Sequence, residues 1–303
     1  MNEFLEEKCI YNRRNTSHRF IDRFHKDYPQ RLQNIPAPPA GIYVKGELPK
    51  DQIPSVAIVG SRSCSEYGKQ VAKEFACVLA KNNIQIISGM ARGIDGISQK
   101  EAVLVGGSTF GVLGCGINIV YPKENSQLYE EVIRKGGLIS EFPPDAPPLA
   151  KQFPSRNRII SGLADIVLVI EAKQRSGTSI TVSRALEQGK DIYAVPGRIY
   201  DSCSEGCNQL ISQGAGIAIS PYEMLKQMGI LPYEKEEKEK KNLNMLEKKE
   251  KVVYSCLDLY PKNLEEIVNE VPFTVPEILE QIFHLQMKGF VKEIGKNNYI
   301  RIH

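Results

Sequence analysis

No run of apolar residues in this chain of 303 approaches the length of a membrane span. The start, Met1 to Lys8, is acidic and has no apolar h-region, which argues against a secretory signal. A soluble, cytoplasmic protein is expected, with no membrane partner. Charge of one sign is missing too. Lys and Arg number 39 against 36 Asp and Glu, a net charge of +3. So small an excess does not mark a nucleic-acid binder, and any basic surface must be local. Cysteines stand at Cys9, Cys64, Cys77, Cys115, Cys203, Cys207 and Cys256. An odd number without framework spacing points to a reducing compartment. Cys203 and Cys207 have no second Cys or His pair nearby, so they read as small residues in a turn. Neither a metal site nor a cofactor is expected.

What is present is alternation. Residues 1–50 form a mixed polar segment that ends in Pro36-Ala37-Pro38-Pro39 and one lead-in strand, Gly41–Lys45. From there, short apolar runs occur at Val56–Val59, Ile84–Ile87, Thr109–Leu113, Leu138–Ile139, Ile166–Ile170 and Ile192–Val195. Helix-length stretches lie between them, at Tyr67–Lys81, Asp95–Val105, Asn125–Lys135, Arg156–Leu163 and Thr178–Gln188. Strand and helix in turn imply parallel βαβ units, and strands apolar on both sides imply helices on both faces. The expected fold is therefore α/β: a Rossmann-like, doubly wound, mostly parallel sheet over residues 51–230. Residues 231–251, dense in Glu and Lys, read as a linker or exposed helix. Helical spacing returns over 252–303 and closes on a hairpin through Gly295–Asn298. That pattern suggests a small winged-helix-like domain.

In an open parallel sheet, ligands sit where strands end and helices begin. Four glycine turns stand at such places. Gly60-Ser61-Arg62 follows the first strand, where turn amides and a forked cation suit a phosphate. Its spacing to Gly68-Lys69 is wrong for a Walker A loop. Ser88-Gly89-Met90-Ala91-Arg92-Gly93-Ile94-Asp95 brings a second arginine, Arg92, to the mouth of the sheet. Asp95 there reads as a helix cap. Gly114-Cys115-Gly116 begins a dinucleotide fingerprint, but Ile119 stands where the third glycine is needed. Arg175-Ser176-Gly177-Thr178 offers an anion nest at a helix start. Between these turns runs Lys151-Gln152-Phe153-Pro154-Ser155-Arg156-Asn157-Arg158, with no acid from Pro147 through Ala164. Read as an exposed loop, it suits a single strand, its cations following phosphates and its ring stacking on a base.

Together these motifs resemble the DprA/Smf family. Gly60-Ser61-Arg62, Ser88 through Asp95, Gly114-Cys115-Gly116 with Tyr121-Pro122, Ser140-Glu141, Phe153 through Arg158, Ser176-Gly177-Thr178 and Val195-Pro196-Gly197 occur in its order. The likeness runs from about Tyr28 to Ile219. It implies a non-catalytic protein that binds single-stranded DNA, protects incoming strands in natural transformation and loads a RecA-type recombinase. It also implies a homodimer joined through the Rossmann-like domain. By the resemblance, the DNA-contacting positions would be Gly60, Ser61 and Arg62, with Lys151, Phe153, Arg156 and Arg158 nearby; Arg92, Asn157, Ser176, Gly177 and Thr178, from the turns and the basic strip, complete the expected DNA-binding set. Gln99 stands where many members carry His, and the first 50 residues are short for the N-terminal helical domain of many others.

The rival is an enzyme. Phosphoribohydrolase-like relatives of this superfamily place a Glu three residues after a Gly-Thr; here Thr181 holds that position. A threonine cannot serve as a carboxylate acid or base near neutral pH. The four histidines, His18, His25, His284 and His303, fall outside the predicted sheet. No catalytic residue is assigned.

Overall fold

Strand β3, Ser55–Val59, is buried at every residue, and its side chains alternate between two cores. Val56 and Ile58 join Val71, Phe75, Leu79, Ile86 and Ile94 on one face. Ala57 and Val59 join Leu32, Ile42, Ile139, Ile159 and Leu163 on the other. A strand apolar on both sides needs cover on both sides, which a doubly wound sheet supplies. The computed structural model describes residues 18–174, 176–231 and 246–302.

The chain divides after Leu231 into two compact units. In the first, nine strands form one sheet in the order β1-β2-β6-β5-β4-β3-β7-β8-β9. Those not yet given are β1 Arg19–Asp22, β2 Gly41–Gly46, β4 Gln85–Ser88, β5 Thr109–Leu113, β6 Gly137–Ser140, β7 Ile166–Val169, β8 Asp191–Ala194 and β9 Gly216–Ile217. Pairing is parallel from β6 through β9. Only β2 on β6 and β1 on β2 are antiparallel. The strand expected at Gly41–Lys45 is thus part of the main sheet. The helices are α1 Gln30–Gln33, α2 Glu66–Lys81, α3 Ile94–Leu104, α4 Ser126–Lys135, α5 Gln152–Leu163, α6 Gly177–Glu187, α7 Glu205–Ser212 and α8 Pro221–Gln227. Arg31 ties α1 to the foot of β3, donating to Ser55 Oγ at 2.8 Å and to Asp165 at 3.0 Å.

The winding reverses at β3. From it the chain steps one way through β4, β5 and β6, then returns to β7 on the other side and continues to β8 and β9. This switch point, between β3 and β7, is where an open α/β sheet leaves a crevice at its carboxyl edge.

The second unit holds α9 Lys248–Ser255, α10 Leu264–Glu270 and α11 Val275–Met287, with strands β10 Lys262–Asn263, β11 Val291–Gly295 and β12 Asn298–Arg301 in an antiparallel sheet ordered β10-β12-β11. Each helix opens on a capping box: Glu247 with Glu250, Asn263 with Glu266, Thr274 with Glu277. Val253, Ile267, Ile278, Ile282, Leu285 and Phe290 share its core. Of the charged run expected at 231–251, residues 232–245 lie outside the described residues.

Candidate nucleic-acid interface

The crevice at the switch point is a cleft of about 680 Å³. The turn after β3, the first turns of α5 and the start of α6 wall it, and Gly60, Ser61, Arg62, Phe153, Asn157, Ser176, Gly177 and Thr178 all line it. Residues far apart in sequence meet here because three strand ends converge. The β4–α3 turn backs onto the β3 turn so closely that a Cβ on Gly93, at φ +72°, would lie 2.2 Å from Ser61 O. A side chain there would clash and also strain the backbone, so this contact requires glycine.

The strip from Lys151 to Arg158 is not a loop. It forms the first two turns of α5, and this changes what its cations do. Arg156 is buried, 3% exposed. Its guanidinium donates to Gly89 O at 2.8 Å and also to Val112 O, while Nε donates to Asn157 Oδ1 at 3.1 Å. It clamps the start of α5 to the ends of β4 and β5. Beside it the carboxyl of Asp95, also buried, accepts the Gly89 amide at 3.1 Å. Burial pushes the Asp95 carboxyl above its ordinary range, against the pull of Arg156. Asp95 therefore does not cap α3; the N-cap position is Gly93. Arg158 points away from the cleft, pairs with Glu141 and is largely buried. Arg92, at the exposed rim, pairs with Glu124. Lys151 is exposed at the N-cap of α5 but does not line the cleft.

Among the described residues, two cations of the lining remain for a ligand. Arg62 is exposed, and Lys173, just past β7, is exposed as well. Neither forms an ion pair with an acid among the described residues. The half-buried Phe153 ring is central. The Arg62 guanidinium carbon lies 5.6 Å from its centroid, that of Arg156 5.8 Å, and the exposed Tyr121 ring 5.7 Å. Lys173 and Tyr121 were not among the residues expected from sequence. Lys173 could have been found, since it follows its strand much as Arg62 follows β3.

The two helix N-termini beside the switch point differ. That of α2 is already filled. Glu171, 2% exposed, accepts the Ser65 amide at 2.9 Å and the Ser65 hydroxyl at 2.5 Å, and its carbonyl accepts the Ser61 amide at 2.7 Å. The Ser61 hydroxyl meanwhile accepts the Ser63 amide at 3.2 Å. The amides of this turn expected to hold a phosphate are thus largely used by the chain itself. The start of α6 differs: its first turn has no acid, the N-cap Ser176 makes no capping bond, and the buried Ser176 Oγ has no hydrogen-bond partner among the described residues. Thr178 and Thr181, both buried, line the cleft behind it. Arg175 lies outside the described residues.

Among the described residues, Asp95 is the single acid lining the cleft, and no histidine lines it. Thr181, the residue at the position where the hydrolase reading needed a carboxylate, lies in the lining. Among the described residues, no group of three or more His, Cys, Asp or Glu side chains is placed to hold a metal ion. No described helix is long and apolar enough to cross a membrane.

Comparison with known proteins agrees with this architecture. The family model described as DNA recombination-mediator protein A matches residues 19–229. Protein Smf of Escherichia coli (strain K12) is 37% identical over 301 residues, covering 94% of this chain and 78% of that protein. DNA processing protein DprA of Streptococcus pneumoniae is 41% identical over 200 residues, covering 66% of this chain and 71% of that protein. The X-ray structure of the Streptococcus pneumoniae protein superposes with a TM-score of 0.67 at 37% identity, over 72% of this chain and 77% of that one. A structure of DNA processing protein A from Helicobacter pylori, described as revealing a unique single-stranded DNA binding mode, gives a TM-score of 0.63 at 26% identity, over 71% of this chain and 96% of that one. With its strand order, its switch-point cleft and these matches in agreement, the chain belongs to the DNA recombination-mediator protein A family, that of the DprA and Smf proteins.

Proposed function

We propose that this protein binds single-stranded DNA in the switch-point cleft, without catalysing a reaction on it, and acts in the cytoplasm to protect incoming strands and load a RecA-type recombinase. The observation that carries the reading is the grouping of the Phe153 ring with two cations, Arg62 and Lys173, that have no acidic partner among the described residues. Phosphates would follow the cations and the open start of α6, and a base would stack on the ring. Unpaired bases offer such a ring their faces; a duplex hides them. Arg92 and Lys151 at the rim would add to the field, and Gly60, Ser61, Asn157, Gly177 and Thr178 would shape the wall. Arg156 and Arg158 support the site rather than touch the strand. The name of the Helicobacter pylori structure, with its single-stranded DNA binding mode, supports the same reading. A homodimer fits the far edge of the sheet, where the edge strand β9 carries exposed Ile217 and is followed by exposed Ile219. The C-terminal unit is winged-helix-like in its order of elements.

Fluorescence anisotropy with labelled single- and double-stranded oligonucleotides of equal length, over a series of salt concentrations, tests this. Tighter, salt-dependent binding of the single strand is expected. Equal affinity for both forms, or release of free base from nucleoside monophosphates, would overturn it.

A further inference from the structure

The β4–α3 turn, which backs the Arg62 turn, holds one residue in a conformation that side chains disfavour. Met90 has φ +55°. A residue with a Cβ keeps to the left-handed region only where its surroundings fix it there. Three contacts do so. The Met90 side chain is fully buried, in a core with Leu113, Leu128, Tyr129 and Leu138. Its carbonyl accepts Asn125 Nδ2 at 2.9 Å. Its amide donates to Gln99 Oε1 at 3.1 Å. Gln99 reaches that amide from behind: it lies on α3, has no exposed surface and does not line the cleft. Its side-chain amide has one orientation. Thr109 Oγ1 donates its proton to Ile86 O at 2.9 Å, so it accepts from Gln99 Nε2, at 3.4 Å, and Oε1 is left to face Met90.

What this turn holds in place is Arg62. Three residues past Met90, Gly93 presses on the Ser61 carbonyl and on the backbone of Arg62 itself. The Ile94 amide donates to Ser61 O at 3.2 Å. A change of conformation at Met90 therefore passes straight to the turn that sets the Arg62 guanidinium beside the Phe153 ring. Without an acceptor at position 99, the Met90 amide would lose its partner inside the core. A buried amide with no partner is costly, and the turn would gain by leaving the left-handed conformation to find another.

We propose that Gln99 is a positioning residue of the DNA cleft. It touches no nucleotide, but by holding Met90 in the left-handed conformation it sets the turn that aims Arg62. The inference rests on the proposed function, since it concerns how the cleft grips a strand.

A double-mutant cycle between Gln99 and Arg62 in the full chain, read by anisotropy with a labelled single strand over a salt series, is the experiment. Gln99→Met keeps an unbranched side chain of similar length and removes the acceptor. It should reproduce Arg62→Ala, with the same loss of affinity and the same flattening of the salt dependence, about 0.7 in log–log slope. The double variant Q99M/R62A should bind no more weakly than R62A alone. A residue that only stabilised the fold would lower the fraction of active protein and leave the slope as it was. Gln99→His supplies an acceptor while its ring is neutral and loses it on protonation. At pH 8 it should regain the affinity and slope of the unmodified chain, and at pH 6 fall below the unmodified chain at that pH. This comparison stands even where Gln99→Met does not fold. If Arg62→Ala itself leaves binding unchanged, the proposed function fails and this inference with it. If Arg62→Ala weakens binding but Gln99→Met keeps the unmodified slope, or the two losses add in the double variant, or Gln99→His follows the unmodified chain at both pH values, this inference alone is overturned.

Discussion

Arg62 and Arg156 line the same cleft and flank the same ring, yet opposite outcomes are expected when they are removed. Arg62 is exposed and without an acidic partner among the described residues. Arg62→Ala should weaken single-strand binding and flatten its salt dependence by about 0.7 in log–log slope, leaving the melting temperature unchanged. Arg62→Lys should restore only part of the affinity, because it lacks the guanidinium fork. Arg156→Ala would strand the carbonyls of Gly89 and Val112 and leave buried Asp95 without its cation. A stability loss of about 3–5 kcal/mol is expected, seen in denaturant melts. Phe153→Ala should cost about 1–3 kcal/mol of binding, measured by anisotropy. It should also lower the melting temperature modestly, since the ring packs on Gly114. A collapse of stability with binding per folded molecule intact would make the ring a core residue. The cations of this strip were legible in the sequence, but their destinations were not. Arg156 and Arg158 are engaged by groups on β4, β5 and the end of β6, and local sequence carries no signal for a partner that arrives through the fold.

The strands and long helices were readable because their period is strong. Every strand from β3 to β8 is an apolar run within one or two residues of its expected place. The start of α5 was missed because Pro154 looks like a helix breaker. It stands in the first turn, where an amide has no intrahelical partner to lose. The short elements β1, α7, β9 and α8 carry too few residues for a period to show. In the second unit, the caps make the helices sensitive to acid. Lys249, with Thr274, holds the Glu277 carboxyl at about 2, down from its ordinary 4.5. Burial pushes Glu250 up, but the Lys288 ammonium and the Glu247 amide outweigh it and hold it below its ordinary value. A depressed carboxyl stabilises the fold above its unfolded value and loses that contribution as pH falls through the folded one. The stability of this unit should therefore decline from about pH 4.5 toward 2, and Glu277→Gln should make the decline shallower. Thermal melts followed by circular dichroism across that range would show it; equal slopes for both proteins would rule out the Glu277 cap as a cause.

On the scale of the molecule, every lining residue of the cleft falls between Val59 and Thr181, well inside the first unit. A chain ending at Leu231 should therefore keep most of its affinity for single strands, measured against the full protein at one salt concentration. Loss of that affinity in a folded truncation would move the DNA site to the second unit. The sequence indicated where the ligand edge of the sheet lies, but not that one of its anion seats is taken. In doubly wound sheets, a loose nucleotide is commonly moored by its phosphate at the helix after the first of the parallel strands. Here Glu171 sits in that berth. A phosphate arriving there would find the Ser65 amide and hydroxyl already bonded to that side chain. A polymer needs no single berth, because it can hold on at many weaker points at once. With that seat plugged by the protein's own side chain, a strand held in the proposed way would rest on Arg62, Lys173 and the open start of α6 instead.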